Sequence, residues 1–447
     1  MIKKTTIALA MAGIVTLPVC AYADTTEDLV NALVTKGVLT EDEGALLSKT
    51  HAKKEAGAMK LKNKSGLAIE SADGSTKLNV AGRVQLDSRG QSNNDSADTF
   101  DIRRVYLGVD GKVANYYEYK VVGNFGSATT LDEAFVNLNW FKPMQFQFGQ
   151  FKTPMSLEER TSSRFTNFME RSFVNNSSIT TGKEQGAMVH GNVTDWMGYG
   201  LAVVTGLGQN VDGTNAANDN NQYIGHIDAN FAKPLGYKNQ VMHVGLNSSY
   251  WDADEANTGA FESAQTTLGK GSKFFKLSAN GADQLVKQTF GIEGAYAINN
   301  FKVQSEYAVT EFDTGAQTQD LSAWYADAGW LISGENYSKA YKTSNMGGKF
   351  DRIKPGKNFD PKTFSGGAWE VVAGLSGFDA TDFTSTTAGY KVTTGVNEAT
   401  AWRTGLNFIP QENTRIMLNY QDTDYEGGTF ASEKGEQTLM MRVQFDF

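Results

Sequence analysis

The sequence predicts an all-β protein: a single sixteen-stranded antiparallel transmembrane β-barrel, preceded by a signal peptide and a short helical segment. Three observations carry that expectation. In the last stretch, Gln437-Thr-Leu-Met-Met-Arg-Val-Gln-Phe-Asp-Phe447, the residues Leu439, Met441, Val443, Phe445 and Phe447 alternate with Met440, Arg442, Gln444 and Asp446. Period two marks a strand with one apolar and one wet face. The composition is rich in Gly (46), Phe (26), Tyr (17) and Trp (7) and poor in Pro (7). After the amino-terminal segment no apolar run approaches the ~18 residues that a membrane helix requires. Finally, short and long connections alternate along the chain. Alternation within one strand would also suit a soluble sandwich, whereas this rhythm of connections is what short periplasmic turns and long outer loops produce.

Residues 1–23 read as the signal peptide, with Lys3 and Lys4, an apolar run from Ile7 to Leu17, and Ala21-Tyr22-Ala23 ahead of Asp24. Cys20 lies upstream of that cut, so the mature protein is expected to hold no cysteine. Residues 24–65 form a second unit, in which Leu29, Leu33, Leu39, Leu46 and Leu47 recur at helical spacing. Gly37 closes one helix, and Thr40-Glu-Asp-Glu43 is a capping-box start for the next. This is a small periplasmic helical hairpin, either a spacer or an oligomer-stabilising coil.

Residues 66–447 are expected to form the barrel. The candidate strands are 76–88, 100–112, 115–126, 131–141, 143–151, 184–194, 198–207, 222–232, 240–251, 286–297, 300–311, 323–333, 366–376, 397–409, 413–424 and 436–447. Their even count is what bacterial barrels require. Connections such as Val113-Ala114, Thr194-Asp195 and Asn299-Asn300 are tight. Two outer loops, 152–183 and 252–285, are long enough to suggest function. Segment 334–365 is equally long, yet the alternation places it at the periplasmic end. Either the strand count slips there or a long inner turn exists.

The formal charge is −9, with 41 Lys and Arg against 50 Asp and Glu, and loss of Lys3 and Lys4 with the signal peptide takes it to −11. Such a balance argues against nucleic acid as a partner. The pattern on individual strands is more informative. Trp402, Thr404, Leu406 and Phe408 point outward and leave Arg403 inward; the same reasoning turns Arg415, Arg442, Arg83 and Arg89 inward. Closure makes the first and last strands neighbours, so these arginines share one arc of wall. Fixed positive charge on a lumen wall favours anions. The alternative is that they pair with Asp446, Asp87 or Glu118 as wall salt bridges.

The third outer loop region adds Lys152, Arg160, Arg164, Arg171 and Lys183 against Glu158, Glu159 and Glu170. Folded inward, it makes a positive constriction; held outside, it meets lipopolysaccharide phosphates. The long inner segment carries Lys339, Lys342, Lys349, Arg352, Lys354, Lys357 and Lys362. The histidines His51, His190, His226 and His243 lack metal-ligand spacing, and there is no Gly-x-Ser-x-Gly, so no cofactor, metal or catalytic residue is expected. A hydrolase built on a rim His and Asp is the weak enzymatic alternative.

Several stretches resemble the phosphate-selective porin O and P family: Asp101-Ile-Arg-Arg-Val-Tyr-Leu-Gly-Val-Asp-Gly111, Phe148-Gly-Gln-Phe-Lys-Thr-Pro154 running through Leu157-Glu-Glu to Phe168-Met-Glu-Arg171, Gly367-Ala-Trp-Glu-Val371, Gly405-Leu-Asn-Phe408 and Met417-Leu-Asn-Tyr420. The resemblance implies a homotrimeric outer-membrane porin in which the third and fifth outer loops and a long periplasmic turn enter the channel. It also implies an arginine ladder: Arg103 and Arg104 match the family's paired arginines, and Lys152 and Arg160 fall where constriction residues belong. The chain departs from the pattern in having no arginine between Arg171 and Arg352, where Lys270, Lys273 and Lys276 stand instead. Lysine is a strongly hydrated point charge that cannot fork onto a phosphate. The expected function is a passive, water-filled, anion-preferring outer-membrane channel, for phosphate or polyphosphate among other anions. Its candidate anion-binding residues are Arg83, Arg103, Arg104, Lys152, Arg160, Arg164, Arg403, Arg415 and Arg442. The alternative is a general, weakly selective or cation-preferring porin, and an adhesion barrel is the remaining rival.

Overall fold

The computed structural model describes residues 25–447 apart from 56–58, 64–65, 93–98, 127–128, 176–178, 212–220, 254–261, 270–272, 281–284, 316, 345, 384–388 and 428–434. The expected signal peptide, residues 1–23, therefore lies outside the described residues, as do Lys270 and part of the fifth outer loop. Two helices come first, α1 (Thr25–Thr35) and α2 (Glu41–Glu55). Gly37, at φ +69°, ends α1 in the left-handed region, and the Val38 N–H turns back to the Leu33 carbonyl at 2.9 Å. Thr40 and Glu43 then close a capping box. The Thr40 N–H donates to Glu43 Oε2 at 2.9 Å and the Glu43 N–H to Thr40 Oγ1 at 3.2 Å. A side chain at Gly44 would meet Val34 Cγ2 at 2.5 Å, so glycine is what lets the two helices approach. Two short strands, Met59–Asn63 and Leu67–Ser71, follow in the chain.

Sixteen antiparallel strands then make a closed barrel. They are β1 (Lys77–Gln91), β2 (Thr99–Val113), β3 (Tyr117–Asn124), β4 (Thr130–Phe141), β5 (Met144–Lys152), β6 (Lys183–Asn192), β7 (Met197–Val204) and β8 (Gln222–Asn230). The second half is β9 (Gln240–Ala253), β10 (Leu285–Ile298), β11 (Phe301–Asp313), β12 (Thr318–Leu331), β13 (Ala368–Asp379), β14 (Glu398–Gln411), β15 (Thr414–Glu426) and β16 (Gly435–Asp446). Closure comes from β16 lying on β1, with Arg442 opposite Asp87 and Asp446 opposite Arg83. No described helix is long and apolar enough to cross a membrane; the strands do the crossing.

Alternation is what builds this wall. Along β16 Leu439, Met441, Val443 and Phe445 are exposed to the outside, while Met440, Arg442, Gln444 and Asp446 are buried within. Tight inner turns keep the register: Asn299 at φ +49° permits the two-residue link between β10 and β11. The count of strands does not slip at the long inner segment. That segment is a true periplasmic turn of 332–367, containing α4 (Tyr337–Ala340) and a small hairpin, Tyr341–Ser344 with Gly347–Phe350.

A barrel of this size leaves a wide lumen, and four of its connections pack into it. Phe173, Val174 and Ile179 of the third outer loop pack with Leu268, Phe274, Phe275 and Leu277 of the fifth. The wall residues Phe312, Leu321, Tyr325, Phe378 and Tyr425 complete this apolar cluster. The seventh outer loop joins them through Phe383, and its strand Gly389–Gly395 pairs with Lys273–Asn280 of the fifth loop. Below, Leu157 of the third loop meets Tyr337 and Phe350 of the inner turn on Val241, Ala295, Ala297 and Leu331. Apolar side chains thus stand on the inner face of β9–β15 because loops dock on them, at roughly 25 cal/mol per Å² of apolar area removed from water. The remaining lumen runs along the inner face of β1–β6, where several inward charged side chains keep partial exposure, 26% for Arg103 and 34% for Lys120, while Arg83, Asp87 and Arg89 of β1 are buried.

Val443 sits mid-strand on the outer face. Val443→Arg should cost about 2–4 kcal/mol of insertion free energy if it lies at the bilayer midplane. Folding into lipid vesicles titrated with urea reads this directly, and an unchanged midpoint would contradict the placement of β16.

Candidate functional site

The third outer loop is the element from which the site is built. It opens with α3 (Leu157–Arg160), capped by Ser156, whose hydroxyl accepts from the Glu159 N–H at 3.2 Å. The free N–H groups of Leu157 and Glu158 donate to the Glu306 carboxylate on β11 at 3.0 and 2.7 Å, so the helix start is fixed to the wall. Glu158 then ties the loop to itself, accepting from the Ser172 hydroxyl at 2.7 Å and from Asn175 at 2.8 Å.

Arg160 ends this helix and is buried in a cluster of opposite charge. Its guanidinium donates to Glu293 of β10 at 2.6 and 3.1 Å, to Asp228 of β8 at 3.3 Å and to the Gly348 carbonyl of the inner turn at 3.0 Å. His226 and His243 reach the same Glu293 oxygen at 3.2 and 2.9 Å, and the His243 ring meets the Tyr341 hydroxyl at 2.8 Å. Burial works against the charged guanidinium, but Glu293 and Asp228 outweigh it and hold Arg160 above the ordinary arginine range. His226, Asp228 and Glu293 bring ligand atoms within 4.8 Å of one another, the kind of set that could hold a metal ion. Arg160 already supplies the positive charge there.

The three arginines of the last strands occupy the same kind of environment. Arg442 forks onto Asp87 at 2.6 and 2.7 Å and donates to the Met169 carbonyl at 2.7 Å. Arg403 pairs with Asp327 at 2.8 Å, and Arg415 with Glu370 at 3.0 Å. All three are buried beneath the third loop, which presents carbonyls of Arg164, Thr166, Met169 and Glu170 to them. Glu170 itself is shared by Arg89 at 2.8 Å, Arg103 at 3.2 Å and Arg442 at 3.2 Å.

A different set lies toward the β1–β6 side, where Arg104 is half-buried and Arg83 is 9% exposed. Arg83 donates to the Ser163 hydroxyl at 3.0 Å and lies 4.3 Å over the ring of Tyr106, whose other neighbour is Lys183 at 5.9 Å. Arg104 donates to Gln85 at 3.0 Å, and Gln85 bonds Gln444 at 2.6 Å. Neither Arg83 nor Arg104 forms an ion pair with a carboxylate among the described residues. Arg164 shares Asp446 with Arg352 of the inner turn. Further round the path Lys120 pairs with Glu133, Lys183 with Asp132, and Lys152 at 3.3 Å and Arg171 at 3.0 Å share Glu159. Burial would raise the Glu159 carboxyl, but Arg171, Lys152 and Lys183 outweigh it and keep it below the usual range. Lys349 of the inner hairpin is pushed below the ordinary lysine range by burial and by the charge of Lys120.

The family described as phosphate-selective porin O and P matches residues 76–447. The chain belongs to that family. Porin O of Pseudomonas aeruginosa is 27% identical over 397 residues, covering 80% of this chain and 86% of that protein. Among solved structures, the anion-selective porin from Comamonas acidovorans superposes with TM-score 0.53 at 9% identity, over 83% of this chain and 100% of its own. Outer-membrane expressed OmpT of Vibrio cholerae gives 0.53 at 11% identity over 87% and 100%, and its in-vitro folded trimer form 0.52 at 12% over 83% and 100%. Those structures speak for the fold, and the family for the rest: the protein is an outer-membrane porin.

Within this porin the residues named from sequence divide cleanly. Arg83, Arg103, Arg104, Lys152 and Arg164 come together along the β1–β6 side. Arg160, Arg403, Arg415 and Arg442 are drawn into buried pairs on or beneath the third loop. Lys120, Lys183 and Lys349 join the first group. Lys120 was legible in principle, since Tyr117, Tyr119 and Val121 alternate with Glu118, Lys120 and Val122.

If the Arg160 pairs hold the third loop, Arg160→Met leaves Glu293 and Asp228 buried without their cation and should cost about 3–5 kcal/mol. Lys152→Met leaves Glu159 still paired with Arg171 at 3.0 Å and should cost less. Limited proteolysis between residues 153 and 182, with open-channel current noise, measures the difference; equal behaviour of the two variants would contradict the latch.

Proposed function

We propose that this porin is a passive, anion-preferring channel whose water path follows the inner face of β1–β6, past Arg83, Arg103, Arg104, Lys120, Lys152, Arg164, Lys183 and Lys349. The observation that carries the reading is the state of Arg83 and Arg104. Each is held by hydrogen bonds to neutral groups, Ser163 and Gln85, so its charge is not cancelled by a carboxylate partner among the described residues. Phosphate or polyphosphate is a fitting permeant, because a guanidinium offers two parallel N–H donors to its oxygens. The lysines further along are point charges that pass an anion on without clasping it.

The rival, a general or cation-preferring pore, rests on the acidic net charge. Many of those acids are internal partners of arginines: Asp87, Glu170, Asp228, Glu293, Asp327 and Glu370 all lie in buried pairs. Transport in this reading involves no cofactor and no catalytic step. A barrel hydrolase would need an accessible histidine, and His190 is buried against Asn137 at 3.1 Å, while His226 and His243 are bound into the Arg160 cluster. The trimer form of the Vibrio cholerae OmpT supports a homotrimer for this chain as well. Outer-membrane lipid and lipopolysaccharide complete its surroundings.

At an effective dielectric near 20, unit charges 4 Å apart interact by about 4 kcal/mol, against about 1 in water. Arg83→Glu with Arg104→Glu should therefore lower the anion-to-cation permeability ratio several-fold, read as the reversal potential under a salt gradient. Lys342→Glu, at an exposed lysine already paired with Asp351, should move it less. A ratio that does not respond to the double change would overturn this reading.

A further inference from the structure

The end of the inner turn 332–367 lies apart from the lumenal clusters. From Lys357 to Gly367 the chain folds over the outer face of the wall at its periplasmic end. The Phe359 N–H donates to the Pro410 carbonyl at 2.8 Å, and its ring stands edge-on to Phe408 at 5.1 Å. Phe408 belongs to the outward set of β14, and it stacks on Trp369 of β13 at 4.1 Å. Gly367 rests on Phe408 as well, where a side chain would meet the ring at 2.5 Å. This is a short arm clasped to the aromatic residues that face lipid.

The tip of the arm is rigidly made and presents an aromatic side chain to the surroundings. Asp360 accepts from the Lys362 N–H at 2.9 Å and the Thr363 hydroxyl at 3.0 Å, and its own N–H donates to the Ser365 carbonyl at 2.8 Å. Phe364 is 84% exposed and sits at φ +51°, a backbone region that bulky residues seldom occupy. Its one ring contact among the described residues is Phe359, at 6.1 Å. Lys357 and Lys362 flank it, both exposed. An aromatic ring beside lysines, continuous with a barrel's aromatic girdle, has the chemistry of a bilayer interface: rings seat at headgroup depth while ammonium groups meet phosphate.

We infer that the Lys357–Gly367 arm is a membrane anchor that seats Phe364 in the periplasmic leaflet, with Lys357 and Lys362 on anionic phospholipid headgroups. The occupant is lipid because the arm extends a surface that already faces lipid, and because its exposed charges are cationic. The arm holds the inner turn to the bilayer edge from outside while the other half of the same turn lies within the lumen.

A nitroxide on Phe364→Cys in a Cys20→Ser background tests this. The full porin is placed in vesicles of phosphatidylethanolamine and phosphatidylglycerol, and collisions with oxygen, which enters lipid, are compared with those of a water-soluble nickel chelate. Lys342→Cys, on the inner hairpin, is the aqueous reference. The oxygen-to-nickel ratio at position 364 should exceed the reference several-fold and should fall when Lys357→Glu and Lys362→Glu are added. A ratio equal to the reference overturns the proposal. So does protection from both reagents with an immobilised spectrum, which would mark a protein surface, such as a second copy of the chain, over the arm.

Discussion

One carboxylate holds together the parts of this porin that are far apart in the chain. Glu293, on the inner face of β10, receives Arg160 of the third outer loop and both His226 and His243 of the wall. Arg160 in turn holds the Gly348 carbonyl and His243 holds Tyr341, so the inner turn is pinned to the same point. A buried charge is tolerated only when paired and hydrogen-bonded. Once a loop has brought such a charge inside, it has few positions to which it can return. The apolar clusters above and below follow from that pinning, since they pack the remaining loop surface against β9–β15.

The consequence for the channel is an asymmetric lumen. Loops and inner turn pack on the β9–β15 side and, through Met155 and Met346, on β5–β8, while the partly exposed charged side chains stand on the β2–β6 side. Electrostatics follow the same division. Asp87, Asp327 and Glu370 neutralise Arg442, Arg403 and Arg415, which would otherwise stand in low dielectric, whereas Arg83 and Arg104 are oriented by Ser163 and Gln85 and pair with no carboxylate among the described residues. A chain with a negative net charge can thus offer a positive path, because net charge sums over the whole surface and selectivity depends on the groups in the narrow part.

The strands were legible because a barrel wall is a local code. Each residue's face is set by its parity, and Leu439 to Phe447 or Trp402 to Phe408 declare their sides without reference to anything distant. The capping box at Thr40 and Glu43 is local in the same way. What parity does not reveal is who stands opposite across the lumen. Arg442 was readable as inward, and even Asp87 as a partner, because closure makes β16 and β1 neighbours. The pairing of Arg403 with Asp327, of Arg415 with Glu370, or of Arg160 with Glu293 depends on how loops and wall strands pack in three dimensions, and no spacing in the sequence encodes it.

The inner turn shows the same limit from another side. Its length leaves two readings of the sequence, a slip in the strand count or a long inner turn, since periplasmic turns of such barrels are short. The length is explained by two tasks on opposite faces of one wall. The half that holds Tyr337, Tyr341 and Phe350 has to enter the lumen and reach β8, where Gly347 lies against Asp228 and His226. The half that holds Phe359 has to return beneath the barrel lip to Phe408 outside. A chain that visits both faces must round the edge between them, so shortening the outer half would pull on the lumenal hairpin, and without the hairpin Arg160 loses the Gly348 carbonyl that shares its guanidinium.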